Sequence, residues 1–302
     1  MLKYAWGLLV LGIVQANPVH KDGPVGFMED IKRSTSRVSG GWPAQEGQFP
    51  YQVSIRMVNI EGLVISCGGS IIHNEWIITS AHCLALRPSY IVRLGTTDLH
   101  RPAYMLEHSI RDAILHPDFD LSNANRVQPP DIAVLKLSIS IPYGPTIQPI
   151  RLQSSEQKDY NYEDQVVIVS GFGYDDDSWN GGQASDYLLW TKLRGLSNEE
   201  CRTYFNSVFP STVCARHYNH TNQSACHGDS GGPLTVVDKD GEPTMIGIVH
   251  YASWRGCTSE WPTAYVRPGH FHNWLNQATG INFDWSYAEI EDTSNTFISI
   301  NK

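Results

Sequence analysis

The amino-acid sequence predicts an all-β fold between residue 38 and about residue 268. Short runs rich in β-branched and aromatic residues recur there, separated by Gly, Pro, Asn and Asp. With 302 residues, 41% hydrophobic and 18% charged, the chain can bury the core of one large domain or of two small packed ones. These features are typical of a β-sandwich or of β-barrels.

The predicted strands include residues 51–55, 76–79, 90–94, 132–135 and 165–169, each a run of Val, Ile, Leu, Tyr or Trp. One helix is predicted over 270–279, because Pro268 precedes it and Gly280 supplies a stop signal. The segment 281–302 is an acidic tail, and its pattern is that of a solvated, partly mobile extension.

The N-terminus has the pattern of a secretory signal peptide over residues 1–16. Lys3 precedes a short apolar run, 8–14, and the small residue Ala16 marks the expected cleavage point. The alternative is a membrane anchor, but the run is shorter than the roughly 20 residues that span a bilayer. We expect a secreted, extracellular protein with a polar pro-segment at 17–37.

Charge and cysteine content narrow the function further. A formal charge of −9 gives no basic surface for nucleic acid or for an anionic membrane. Export places all six cysteines in an oxidising compartment, where three disulfides are expected, although the sequence alone does not choose the pairing. Neither Cys-x-x-Cys nor His-Glu-x-x-His occurs, so no metal and no cofactor are expected.

The strongest motif is Gly-Asp-Ser-Gly-Gly-Pro at 228–233, with Ser230 at its centre. A serine nucleophile needs a nearby base and backbone donors for the oxyanion, and flanking glycines allow the tight turn that aims those donors. An ordinary turn is the alternative interpretation. Two other segments favour catalysis: 79–83 ends a predicted strand with His82, and 131–135 begins another with Asp131.

In the order His, Asp, Ser, these segments resemble the trypsin/chymotrypsin-type serine proteases. The resemblance extends from residue 38 to about 279 and includes 67–70, 170–173 and 262–265. It implies two packed six-stranded antiparallel β-barrels with a C-terminal helix, and a serine protease domain over 38–280. It also implies that Ser230 is the nucleophile, His82 the base and Asp131 its partner, with the amides of Gly228 and Ser230 forming the oxyanion hole.

The same resemblance implies the disulfides Cys67–Cys83, Cys201–Cys214 and Cys226–Cys257. It further implies a zymogen that another trypsin-like protease cleaves after Arg37, so that the new ammonium of Val38 pairs with Asp229. Ser39 departs from the family's usual glycine.

Three residues correspond to the family's primary specificity pocket: Ser224 at its base and Ala252 and Thr263 on its walls. No aspartate stands at the base, and both walls carry side chains, so we expect elastase-like cleavage after small or medium apolar residues. Chymotrypsin-like cleavage after Leu, Phe or Tyr is the alternative.

A second departure is His250, where the family usually has serine close to the catalytic aspartate. It is either a tolerated variant or a group that competes for Asp131 when protonated. Asn219 begins an N-glycosylation triplet. Two weaker ligand signals, His217 with His220 and the aspartates at 175–177, are better explained as solvated surface groups.

The expected partners are protein or peptide substrates, the activating protease and protein protease inhibitors, with no nucleic acid and no membrane. The enzyme is expected to be a monomer. A different class of function is an inactive protease homologue that acts as a binding protein, but the intact His82, Asp131 and Ser230 argue against it.

Overall fold

Sixteen strands form two sheets in residues 25–27, 41–58, 64–175 and 183–290, which are the residues that the computed structural model of the protein describes. The strands are β1 (Val25–Phe27), β2 (Trp42–Pro43), β3 (Gln52–Val58), β4 (Val64–His73), β5 (Trp76–Thr79), β6 (Ser89–Leu94), β7 (Tyr104–Ser109), β8 (Ala113–Leu115), β9 (Ala133–Lys136), β10 (Arg151–Leu152), β11 (Val166–Gly171), β12 (Leu189–Leu196), β13 (Thr212–His217), β14 (Pro233–Val237), β15 (Pro243–Ser253) and β16 (Thr263–Val266).

The α-helices of the described part of the chain include α1 (Ala81–Leu84), α2 (Asn198–Cys201) and α3 (His272–Thr279). The predicted C-terminal helix is confirmed as α3, and its first predicted residues belong to a 3₁₀ turn, Pro268–His270. Gly280 ends the helix in the left-handed conformation, with φ of 74°, as a helix stop requires.

The first sheet contains seven strands in the order β7-β6-β3-β4-β5-β9-β8, all antiparallel to their neighbours. In the second sheet, β15 pairs with both β14 and β16, which closes the ring β15-β14-β11-β12-β13-β16 into a six-stranded barrel. The predicted fold class is therefore confirmed. The N-terminal half differs in detail, since its seven strands form an open ring between β7 and β8 in the described pairings.

The apolar pattern of the strands explains the two cores. Residues such as Val53, Ile55 and Ile77 fill the interior of the N-terminal half, and Leu275 of α3 packs into the same cluster. A second cluster, which includes Val167, fills the closed barrel. β5 pairs with β9, and the hydroxyl of Ser80, the residue after β5, donates to the carbonyl of Val249 in β15 at 2.9 Å, so strands from both halves meet in a single region.

All six cysteines are paired, as Cys67–Cys83, Cys201–Cys214 and Cys226–Cys257. These are the pairs that the resemblance implies. The first joins β4 to α1, and the third joins the segment before Ser230 to the segment after β15. Both therefore anchor chain segments at the meeting point of the two halves.

The expectation of a solvated tail is wrong for residues 281–290, which pack against the domain. The indole of Trp285 donates to the carbonyl of Leu152 at 2.7 Å, and the guanidinium of Arg151 lies 4.0 Å above the indole ring. Asp284 accepts a hydrogen bond from the amide of Ser155 at 2.8 Å. Aromatic side chains thus attach this acidic segment, and residues 291–302 lie outside the described residues.

No helix in the described ranges has the length and apolar character needed to cross a membrane.

Candidate active site

A turn bounded by glycines holds Ser230 between the two halves. Gly228 and Gly231 have φ of 88° and 79°, in the left-handed region that favours glycine. A Cβ on Gly231 would lie 2.0 Å from Oγ1 of Thr79. The carbonyl oxygen of Ser230 accepts a hydrogen bond from the amide of Gly68 at 2.7 Å. The serine is fully buried in this turn, which contacts the N-terminal sheet directly.

Strand β15 holds the other side of the turn through one backbone carbonyl. The carbonyl oxygen of Val249 accepts from the amide of Gly231 at 2.9 Å and from the hydroxyl of Ser80 at 2.9 Å. Ser80 directly precedes α1, the short helix that carries His82. The serine turn and the histidine helix are therefore attached to the same point of β15.

His82 makes two contacts with the carboxylate of Asp131. Its ring atom Nδ1 lies 2.6 Å from Oδ2, and its backbone amide donates to Oδ1 at 2.8 Å. An ionised carboxylate can only accept hydrogen bonds, so the ring proton lies on Nδ1 and leaves Nε2 as a lone-pair base. Asp131 lies two residues before β9, which pairs with β5, and this pairing brings the acid to the helix of His82.

Asp131 is fully buried, yet its surroundings favour the ionised form. Burial by itself raises the pKa of its carboxyl, but the nearby imidazoles of His82 and His250 and the hydrogen bonds from His82 outweigh burial. The pKa of Asp131 therefore lies below its ordinary value. Nε2 of His250 is 3.2 Å from Oδ2 of Asp131, the oxygen that also faces His82.

The hydroxyl of Ser230 is buried and has no hydrogen-bond partner among the described residues. Both residues contact the same sulfur: Sγ of Cys83 is 3.5 Å from the carbonyl oxygen of Ser230 and 3.7 Å from Nε2 of His82. Hydrogen bonds between catalytic groups are often long in a ligand-free site and shorten when substrate binds. The described contacts thus join the imidazole of His82 to a buried carboxylate, and one sulfur of the Cys67–Cys83 disulfide contacts both His82 and the backbone of Ser230.

Asp229 occupies a closely fitted cavity next to the serine. Its carboxylate accepts hydrogen bonds from the amides of Gly173 at 2.8 Å and Cys226 at 2.9 Å. A Cβ on Gly171 would lie 2.0 Å from this carboxylate, and one on Gly173 would lie 2.5 Å from it. The two glycines of the 170–173 motif therefore leave the space that the Asp229 side chain fills.

The three residues expected at the specificity pocket are all buried. The hydroxyls of Ser224 and Thr263 are 3.0 Å apart, and that of Ser224 also donates to the carbonyl of Ala225 at 2.9 Å. Ala252 packs in a cluster with the Cys226–Cys257 disulfide, against which Tyr174 also lies. Ser224 and Thr263 both carry uncharged hydroxyls, so the base and one wall of this region are neutral.

Comparison with known proteins identifies the family. Residues 38–275 match the family model described as Trypsin. The chain belongs to the trypsin family. Over 280 residues it is 31% identical to a collagenase of Hypoderma lineatum, an alignment that covers 91% of this chain and 99% of the relative. Serine protease 1 of Drosophila melanogaster is 28% identical over 260 residues, which cover 84% of this chain and 89% of the relative.

A solved structure titled HL collagenase, at 1.7 Å, has the same fold. It superposes with a TM-score of 0.70 and 31% sequence identity, covering 80% of this chain and 99% of that structure. This trypsin-family protein is thus a serine endopeptidase, a hydrolase that acts on protein or peptide substrates.

Two groups of three potential metal-ligating side chains occur in the described part of this trypsin-family chain. Each includes both sulfurs of a disulfide: Cys67–Cys83 with His82, and Cys226–Cys257 with His227. A disulfide offers no thiolate to a metal ion. Neither group is therefore a metal site.

Some of the predicted sites lie outside the described residues or at the surface. Arg37 and Val38, the expected activation site, lie outside the described residues, and so do the aspartates at 176–177. Asn219, which begins the predicted glycosylation triplet, is exposed.

Sequence reasoning missed the groups that hold the serine turn in place, namely Gly68, Thr79, Ser80 and the carbonyl of Val249. A signal for the first three was present, since they belong to segments, 67–70 and 79–83, that carry the family resemblance. Nothing local marks Val249, because its contribution is a backbone carbonyl at the centre of an apolar strand.

We expect Gly171→Ala to destabilise the protein by about 1–3 kcal/mol, because the new methyl group overlaps the Asp229 carboxylate and overpacked cores lose stability on this scale. Gly144→Ala is the matched control, since a Cβ there meets nothing within 4 Å. Urea denaturation of both variants measures the difference. Equal midpoints would show that the Asp229 cavity adapts freely.

Proposed function

We propose that Ser230, His82 and Asp131 cleave peptide bonds by acyl transfer. Ser230 Oγ attacks the scissile carbonyl carbon while Nε2 of His82 removes its proton, and the imidazolium then protonates the leaving amine. Water hydrolyses the acyl-enzyme with the same base. The observation that carries this proposal is the 2.6 Å contact between Nδ1 of His82 and the ionised Asp131, since it leaves Nε2 as the basic atom.

Backbone amides would stabilise the negative charge that develops on the substrate oxygen. The amides of Gly228 and Ser230 are the donors proposed for this oxyanion hole, and the left-handed φ of Gly228 supports the required turn. A single donor of this kind is worth about 3 kcal/mol to the transition state. Asp131 keeps its negative charge next to His82 and so stabilises the imidazolium as it forms.

The proposed substrates are peptide chains with a small or medium apolar residue before the scissile bond. Ser224, Thr263 and Ala252 would line the pocket for that residue. Ser224 and Thr263 support this preference, because their neutral hydroxyls, 3.0 Å apart, supply no anion to pair with Lys or Arg and Thr263 keeps a side chain on the wall.

We also propose that the protein is a zymogen activated by a trypsin-like protease after Arg37. The new ammonium of Val38 would then join the buried carboxylate of Asp229, which compensates a charge that is costly to bury alone. The described part of the pro-segment supports this proposal. Strand β1 runs antiparallel to β15, with Gly26 opposite Ala252, and so covers the backbone edge next to the proposed pocket.

The proposed setting is extracellular. The signal-peptide pattern at 1–16, the three disulfides and the exposed Asn219 in its glycosylation triplet are consistent with export. Protein protease inhibitors are the further partners that we propose for a secreted monomeric protease of this family.

Ser230→Ala is expected to reduce kcat/KM by at least about 10³-fold, and Asp131→Asn by about 10⁴-fold because the amide favours the wrong tautomer of His82. An organophosphonate should label the activated wild-type protein and not the Ser230→Ala variant. Ser140→Ala, at an exposed serine, is the control that keeps full activity and labelling. Labelling of the Ser230→Ala variant would refute the assignment of the nucleophile.

A panel of peptide anilides is expected to show fastest hydrolysis after Ala, Val or Leu and slow hydrolysis after Lys or Arg. Thr263→Gly should shift the preference about tenfold towards Phe and Tyr, since the pocket gains depth. A wild-type preference for Phe and Tyr would favour the chymotrypsin-like alternative. Rapid cleavage after Lys or Arg alone would contradict both.

Trypsin treatment of the purified precursor is expected to create an N-terminus at Val38, detected by mass spectrometry, and to raise activity about 10²-fold or more, because small misplacements of reacting groups cost this much. Arg37→Gln should remain uncleaved at this bond and inactive. A precursor already as active as its cleaved product would show that no activation step exists.

A further inference from the structure

His250 is a second imidazole on the proposed catalytic aspartate. Its side chain is almost completely buried, and its Nε2 atom lies 3.2 Å from Oδ2 of Asp131. The same oxygen lies 2.6 Å from Nδ1 of His82. The two rings are inclined by 22°, with centroids 6.5 Å apart. One carboxylate oxygen is therefore shared by two imidazoles.

A β-bulge directs His250 to this position. In the pairing of β15 with β16, Val249 is opposite Tyr265 and Tyr251 is opposite Ala264, so the register shifts at His250. An extra residue of this kind redirects a side chain that regular alternation would place elsewhere.

The residues on either side of His250 are anchored. The backbone of Val249 bonds to the serine turn, and the hydroxyl of Tyr251 donates to the carbonyl of Ser207. The imidazole between them is therefore held in place.

The groups that face His250 determine what its proton would do. They are, among the described residues, the carboxylate of Asp131, the imidazole of His82 and the ring of Tyr251, whose centroid is 4.8 Å from that of His250. Burial raises the pKa of Tyr251, so this phenol stays neutral. Among these groups, Asp131 is therefore the neighbour that carries a charge, and His82 is the neighbour that can gain or lose a proton.

We propose that His250 is a positioning residue that acts through Asp131 and adds a second proton-binding group to the catalytic centre. This inference rests on the proposed function of His82, Asp131 and Ser230. At neutral pH the uncharged imidazole lies against Oδ2 of Asp131. In acid, His250 takes up a proton and pairs with Asp131.

Protonation of His250 has two consequences for His82. The positive charge compensates Asp131, and it also repels the imidazolium that must form on His82 in the transition state. His82 then becomes a weaker base even where its own Nε2 is still unprotonated. The decrease of kcat/KM at low pH should therefore reflect two coupled protonations rather than one.

The test compares kcat/KM from pH 5 to pH 9 for activated wild-type protein, His250→Gln and His250→Ser. Glutamine keeps a hydrogen-bond donor that does not titrate, and serine is the residue usual in the family. We expect the wild-type limb to require two ionisations, and both variants to follow one, with a midpoint shifted to lower pH by about half a unit.

Titration of the side-chain imidazoles by ¹⁵N NMR gives a readout independent of turnover. In Ser230→Ala, the His82 resonance should titrate in two steps when His250 is present and in one step when it is replaced by glutamine.

Several outcomes would overturn the inference. Superimposable acid limbs in all three proteins would do so, as would a single-step His82 titration with His250 in place. Organophosphonate labelling separates these outcomes from failure of the proposed function, because stoichiometric labelling with unchanged pH profiles removes only the role of His250. Thermal melting identifies a variant that fails to fold. In that case, the pH profile of the other His250 variant tests the inference.

Discussion

A fully buried carboxylate, Asp131, is the group on which the arrangement of the site depends. A buried charge is tolerated only when its surroundings compensate it, and here two imidazoles and one backbone amide approach its two oxygens. Compensation of this charge therefore requires α1, which carries His82, and β15, which carries His250, to lie next to the segment before β9 that carries Asp131. It also decides the tautomer of His82, and with it the atom that can act as a base.

The serine turn depends on a different constraint, the close approach of backbones from both halves of the molecule. Gly231 has no room for a side chain beside Thr79, and the turn bonds to Gly68 on one side and Val249 on the other. Chemistry at Ser230 therefore relies on the packing of the N-terminal sheet against the closed barrel. On the N-terminal side of that junction, the Cys67–Cys83 disulfide links β4 to the helix of His82.

Much of the fold and the site could be predicted from the sequence because the relevant signals are local. The run 76–79 coincides with β5, and Gly280 ends α3 in the conformation that glycine favours. Other features depended on partners far away in the chain. The fit of Asp229 against Gly173 joins residues 56 positions apart, and the tail packs because Trp285 meets Arg151 and Leu152. The acidic composition of the tail predicted a solvated extension, and that prediction did not take into account the aromatic side chains that attach the tail to the domain.

The sequence by itself determined the family, the all-β class and the three residues proposed for the catalytic centre, because short motifs specify turns and strand ends within a few residues. Two features were decided by the tertiary structure alone. The pairing of β15 with β16 closes the barrel, and the β-bulge in that pairing places His250 next to Asp131. Strand register is a property of pairs of strands, and no single segment contains it. The position of an imidazole relative to a carboxylate 119 residues earlier in the numbering follows from that register, and only the folded chain contains this information.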